Sequence, residues 1–452
     1  MTQPEGPLSD YVAGLEVGAI PAPTLDRVRQ LVLDAVACGL AGVNAELRPE
    51  VESVAQTMFG AGSSPVIGGP PRAPGGAALL NGFQIAAPTL GDVHRRTLTH
   101  VLPEVLPAGL AAAEIHRATG ADLLAGLTAG IEVTVRVAQA LHSDAYESRA
   151  WHNPGIAGAV GAACAAARVA NMDARGVRVA IGHAASQAAG TFAALGTSGV
   201  KMHQARGGLS GLLSAELAAG GVDASERGLT AARGGLLAAY ADGGRPECLT
   251  DGLGSEYMLG SIALRRWPGA SSLQPVIEAT LLLRAELRLS VGSRDLEEIT
   301  DLRVELPPRA FALNGAAGWA TRLSALQSAR WTVAVALTDG DVWLDQAADA
   351  RRADAAVGRL AESVIVTQDS TLPPTGARVT LRDGAGLERT EQVDIPSGDE
   401  RRPLTQEEIR HKLDRAASSA GLEARVESIL SSINTLESAS SIDGLTRALE
   451  VR

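Results

Sequence analysis

One stretch restricts the fold more than any other: His152 to Gly208, which opens HNPGIAGAVGAACAAARV and closes GTSGVKMHQARGG. Gly155, Gly158, Gly161 and Ala165 recur at three- and four-residue spacing, so one helix face carries almost no side chain. Such a face lets neighbouring backbones approach closely and belongs at the buried centre of a helical domain. Polar groups gather at the ends, with His152 and Asn153 before the first helix and Lys201, His203 and Arg206 after the second. The stretch predicts a packed helix pair that delivers these groups to one place.

Lys201 stands out against the composition. Lysine and arginine total 40, and only Lys201 and Lys412 are lysines. Two explanations compete. One is a bias toward arginine with chance exceptions. The other is a task that arginine cannot perform, because an amine can lose its proton when desolvated or act as a compact point charge on a carboxylate. A net charge of −11 with no basic run argues against nucleic acid as a partner. Cys38, Cys164 and Cys248 are far apart and show no metal-ligand spacing, which predicts reduced thiols and a cytoplasmic location. No secretory leader is expected from MTQPEGPLSDYV. The uncharged run Val179–Val200 contains His183, Ser186, Gln187 and Thr191, so it reads as a buried helix with a loop rather than a membrane span.

Taken in order, the periodicity predicts helices over Thr24–Ala41, Pro49–Phe59, Ala77–Ala87, Leu106–Ala118, Gly120–Ala140 and Leu209–Ala219. SSPVIGGPPRAPGG reads as a turn-rich connector. PTLGDVHRRTLTHVLP reads as an irregular loop carrying Asp92, His94, Arg95, Arg96 and His100. The texture changes near Ile262. Ile299–Pro307 alternates as a strand with Leu302, Val304 and Leu306 on one face. Ser324–Leu337 reads as a helix. Ser363–Thr367, Ala377–Leu381 and Glu391–Ile395 read as strands, the last two as a hairpin. Thr405 and Glu408 form the pattern of a capping box at a final helix. The expected division is a helical domain over 1–262, a smaller α/β domain over 263–397, and a return to the helical domain over 398–452.

The order of several segments resembles the MmgE/PrpD family. They are LVLDAVACGLAG, AALLNGFQIAAPTLGD, THVLPEVLP, WHNPGIAGAVGAACAAARV, IGHAASQAAG, GVKMH, RGGLLAAYADG, RRWPG and PSGDERRPLTQEEIRHKL. The resemblance implies a mainly α fold with an inserted α/β domain, the large helical domain being built from both chain ends. It also implies a homodimer, no metal or organic cofactor, and a small carboxylated or carbonyl substrate. It places His100 at the histidine of the family's active-site loop and His152 at the histidine opening the Gly/Ala helix. Lys201 matches the lysine of the K-x-x-H segment, with His203 one residue closer than usual. Asp92 matches the last aspartate of the acidic cluster.

The chain also departs from the family pattern. Ala86, Thr89 and Gly91 stand where the family has a histidine and two aspartates. Gln274 stands for a histidine and Trp331 for a tyrosine, replacements that suggest a larger or less polar substrate.

The shared chemistry is proton transfer beside a carboxylate. Within it, His152 is expected as general acid or base, His100 as its partner, and Lys201 as the carboxylate or oxyanion binder. Asp92 is expected to orient a histidine, and Arg206, His203, Gln274 and Trp331 to contact substrate. Three functions fit: a lyase of hydro-lyase type, an isomerase or epimerase using the same proton abstraction, and a binding protein that has lost catalysis.

Overall fold

The computed structural model describes residues 4–287, 296 and 299–451. It divides into a larger helical unit, residues 4–87, 91–262 and 406–451, and a smaller unit, residues 88–90 and 263–405.

The larger unit is built from α1 (Ala22–Ala41), α2 (Pro74–Ala86), α3 (Leu102–His116), α4 (Gly120–Leu141), α5 (Pro154–Val169), α6 (Ala174–Gln187) and α7 (Gly199–Ala219). Local chemistry starts several of them. Thr119 and Asp122 form a reciprocal capping box at α4, and the Asp173 carboxylate accepts the Gly176 N–H at 2.7 Å to start α6. α5 begins at Pro154, whose fixed φ suits a first helical position.

Every residue of α5 is buried, and α3, α4, α6 and α7 pack around it. The small-residue face is what permits this. A Cβ on Gly161 would lie 2.5 Å from the Gly130 carbonyl oxygen, and one on Gly211 would lie 2.4 Å from the Ala162 Cβ. Alanine at either place would force the helices apart, at a cost of about 1–3 kcal/mol.

Two expectations need correction in this unit. The connector SSPVIGGPPRAPGG holds an antiparallel hairpin, β1 (Ser64–Val66) with β2 (Gly69–Arg72). Gly68 takes the left-handed φ of 68° that its turn requires. Asn81 and Gln84 of α2 supply the partners: Asn81 accepts from the Ile67 N–H and donates to the Pro65 carbonyl, and Gln84 donates to the Ile67 carbonyl. The second correction concerns α7, which begins at Gly199 and not at Leu209. Lys201, His203 and Arg206 therefore ride on its first two turns. Gly207 and Gly208 are accommodated within the helix because both face α3 at Glu104.

The smaller unit carries helices α8 (Gln274–Glu286) and α9 (Ala329–Asp339) and a four-stranded sheet. Its strands are β3 (Ile299–Leu306), β4 (Val364–Gln368), β5 (Ala377–Asp383) and β6 (Glu388–Val393). The sheet order is β4-β3-β5-β6, parallel for β3 with β4 and antiparallel elsewhere. Leu302, Val304 and Leu306 face a core shared with Val276 and Leu283 of α8 and Val333 and Leu337 of α9. The helix expected over Ser324–Leu337 is broken, because the Ser328 hydroxyl accepts the Trp331 N–H and restarts it at Ala329.

The chain returns to the larger unit at α10 (Gln406–Ala420), beyond 398. Residues 397–402 stay with the smaller unit: the Ser397 N–H donates to the Glu278 carboxylate, and the Leu264 N–H donates to the Gly398 carbonyl. Among the described residues, no helix is long and apolar enough to cross a membrane.

Candidate active site

The loop between α2 and α3 closes on itself. The His94 N–H donates to the Thr99 carbonyl at 2.8 Å and the Thr99 N–H to the His94 carbonyl at 3.3 Å. Asp92 anchors the loop at its base. Its carboxylate, 1% exposed, accepts the Val101 N–H at 2.7 Å and the Leu102 N–H at 3.3 Å. These amides sit at the start of α3, where the helix cannot supply partners of its own.

The Asp92 carbonyl accepts His100 Nδ1–H at 2.5 Å. A carbonyl cannot donate, so the proton of a neutral His100 sits on Nδ1 and Nε2 carries a lone pair. Asp92 thus orients His100, and it does so through its backbone carbonyl.

His152 lies immediately before α5, and its backbone N–H donates to the Gly190 carbonyl at 3.1 Å. Its ring is nearly enclosed, and Nδ1 meets Nδ1 of His203 at 3.1 Å. One ring must donate and the other accept. In the accepting ring the proton sits on Nε2; in the donating ring Nε2 is bare. Burial first, then the His203 ring and the Lys201 charge, lowers the His152 pKa to about 3. Burial, with Arg206 beside it, also lowers His203. The structure therefore assembles a neutral imidazole pair next to the half-buried ammonium of Lys201.

Arg206 was expected to hold a substrate carboxylate, and its surroundings give it different work. Its guanidinium donates to the carbonyls of Gln187 at 2.8 Å, Ala189 at 2.5 Å and Gly155 at 3.1 Å, and to the Ser210 hydroxyl at 3.2 Å. It ties the end of α6 to the start of α5.

Gln274 and Trp331 lie in the smaller unit. The Gln274 side-chain Oε1 accepts the Arg266 and Trp267 N–H groups, and its Nε2 donates to the Trp267 carbonyl at 3.0 Å. Trp331 donates to the Gln346 carbonyl at 2.8 Å and stacks on Trp319 at 5.9 Å. The polar atoms of both are engaged inside their own unit, as turn brace and core. Among the described residues, no group of three or more His, Cys, Asp or Glu side chains is placed to hold a metal ion.

Glu104 was not foreseen. It sits on the first turn of α3, is 0% exposed, and neither carboxyl oxygen has a hydrogen-bond partner. The side chain fits only because Gly158 and Gly207 lack a Cβ; one would lie 2.6 Å and 3.0 Å, respectively, from Glu104 Cγ. Burial, with the Asp92 charge adding to it, pushes its pKa well above the usual 4.5. The sequence signal was a lone acid in the apolar run HVLPEVLPAGLAAA.

A carboxyl whose folded pKa is raised stays neutral while the unfolded chain ionises, so stability falls as pH rises above about 4.5. Glu104→Gln, which cannot ionise, is expected to be more stable than the parent at pH 8 by at least about 1 kcal/mol. The gap should close toward pH 5. Denaturant titrations at both pH values test this, and equal stabilities at pH 8 would contradict it.

Comparison with known proteins places these features in context. The description MmgE/PrpD N-terminal domain matches residues 6–249, and MmgE/PrpD C-terminal domain matches residues 267–437. The cis-aconitate decarboxylase-like protein oryM of Aspergillus oryzae is 30% identical over 97% of this chain and 95% of its own. A cis-aconitate decarboxylase of Aspergillus terreus is 27% identical over 93% of this chain and 90% of its own. The cis-aconitate decarboxylase of Homo sapiens is 24% identical over 97% and 93%.

Proposed function

The chain belongs to the MmgE/PrpD family, and from that premise we propose that it is a lyase that decarboxylates cis-aconitate or a closely related unsaturated polycarboxylate. The relatives' names turn the expected dehydration toward decarboxylation. The observation that carries the reading is the neutral His152–His203 pair beside Lys201, with the His152 ring buried and His203 half-buried.

In this reading Lys201 holds a substrate carboxylate as a point charge. The bond from carbon to the departing carboxylate breaks, CO2 leaves, and its electron pair stays on the carbon framework. A ring of the pair gives that carbon its Nε2 proton and is restocked from solvent. Burial keeps the imidazoles neutral, and a neutral imidazole can both give and take a proton during one turnover. His100, held through Nδ1 by the Asp92 carbonyl, takes up a solvent proton on Nε2 and passes it on to restock the pair.

Proton NMR in heavy water tests the proposal. Incubation with cis-aconitate is expected to give new vinyl signals from a diacid one carbon shorter, with one solvent deuterium in the product and CO2 released. Deuterium exchange into unchanged substrate would instead indicate an isomerase. No reaction with any unsaturated tricarboxylate would overturn the assignment.

A further inference from the structure

We propose that Asn153, Thr99 and Thr97 form a positioning brace that fixes His100 and His152 relative to each other. Asn153 directly follows His152, and Thr99 directly precedes His100. The Asn153 amide nitrogen donates to Thr99 Oγ1 at 2.7 Å and to the Thr97 carbonyl at 3.3 Å. Each histidine is thus one residue away from a side-chain bond that joins the loop to the start of α5. The inference rests on reading these histidines as functional.

The Asn153 end of the brace has a defined polarity. The Thr97 carbonyl can only accept, so Asn153 must present its NH2 group there. The Tyr146 hydroxyl then donates to Asn153 Oδ1 at 3.2 Å. Thr99 Oγ1 also meets Thr97 Oγ1 at 2.9 Å, and Thr97 Oγ1 meets His94 Nδ1 at 2.7 Å, so a relay of hydroxyls runs from Asn153 to the His94 ring. Burial, then Arg96 and His142, lowers the His94 pKa to about 4, so the ring that ends the relay is neutral at pH 7.

All five residues are at most 7% exposed. Loop 94–99 is otherwise closed mainly on itself, and nothing in its apolar pattern calls for two buried threonines. Their hydroxyls are explained by the link to Asn153. Buried networks of this kind hold their members in one arrangement when every group is satisfied.

Three variants test the brace. Thr99→Val keeps the shape and removes the hydroxyl, Thr99→Ser keeps the hydroxyl, and Thr97→Val breaks the relay one step further along. With histidine-labelled protein, the ring nitrogen signals of His100 and His152, assigned by single replacements, are expected to move in Thr99→Val and return in Thr99→Ser. This arm needs no substrate, so it reads the brace even if the proposed reaction fails. With turnover, kcat is expected to fall by about 10–100-fold in Thr99→Val at nearly unchanged KM, and to recover in Thr99→Ser. Thr97→Val is expected to give the smaller effect, and it stands in for Thr99→Val if that variant does not fold. Unmoved ring signals in both valine variants, or a serine variant as altered as the valine one, would overturn the proposal.

Discussion

Replacing His152 by alanine is expected to lower turnover of cis-aconitate by at least about a hundredfold, the usual size of a positioned acid–base group. The fold should survive, because the backbone N–H of residue 152 keeps its bond to the Gly190 carbonyl and the rest of α5 is held by its small-residue face. What is lost is the partner of His203 and the neutral ring beside Lys201.

The pH profile sharpens the expectation. An ordinary histidine charges near 6.5, whereas His152 stays neutral down to about 3. Protonation of His152 should therefore not cause a decline in kcat/KM between pH 7 and pH 5. Steady-state kinetics across that range, with circular dichroism as the folding control, provide the measurement. Full activity in His152→Ala would remove the histidine pair from the mechanism.

The second large effect concerns stability. Lys412 of α10 reaches Asp34 of α1, and both side chains are nearly inaccessible, at 3% and 1%. The Cys38 thiol donates to the other Asp34 oxygen at 3.7 Å. This pair joins the returning C-terminal helix to a helix near the chain's start. Lys412→Met leaves a buried carboxylate without its ammonium, and the expected loss is about 3–5 kcal/mol. Lys412→Met combined with Asp34→Leu should recover most of it, because the cost lies in the stranded charge more than in the lost attraction. Chemical denaturation of the single and double variants measures the difference. A double variant as unstable as the single would show that the pair contributes by packing instead.

The two lysines also bear on the composition argument. One is buried in an ion pair and the other lies beside the histidine pair, so neither is a generic surface charge. That fits a task specific to an amine better than chance exceptions to an arginine bias. The sequence could single out the residues, but it could not say that their tasks differ.

Much of the fold was legible for a simple reason: periodicity reports burial. The spacing of Gly155, Gly158 and Gly161 announced a helix with neighbours at backbone distance, and Leu302, Val304 and Leu306 announced the buried face of a strand. Both patterns depend on a helix or strand period that is local to the chain.

Tertiary structure alone decided the polar bonds between distant segments. Arg206 looks like a carboxylate clamp until the chain path places the carbonyls of Gln187, Ala189 and Gly155 around it. The segment 64–72 reads as a connector until Asn81 and Gln84 satisfy its backbone. Asp92 was expected to orient a histidine; that it does so through its carbonyl, while its carboxylate starts α3, depends on how the loop folds back. Glu104 is an ordinary acid in the sequence and becomes a buried, unpartnered one only when Gly158 and Gly207 close over it. The amino-acid pattern determines which faces turn inward, because burial follows a local period; which polar groups meet there is set by chain paths that no local period encodes.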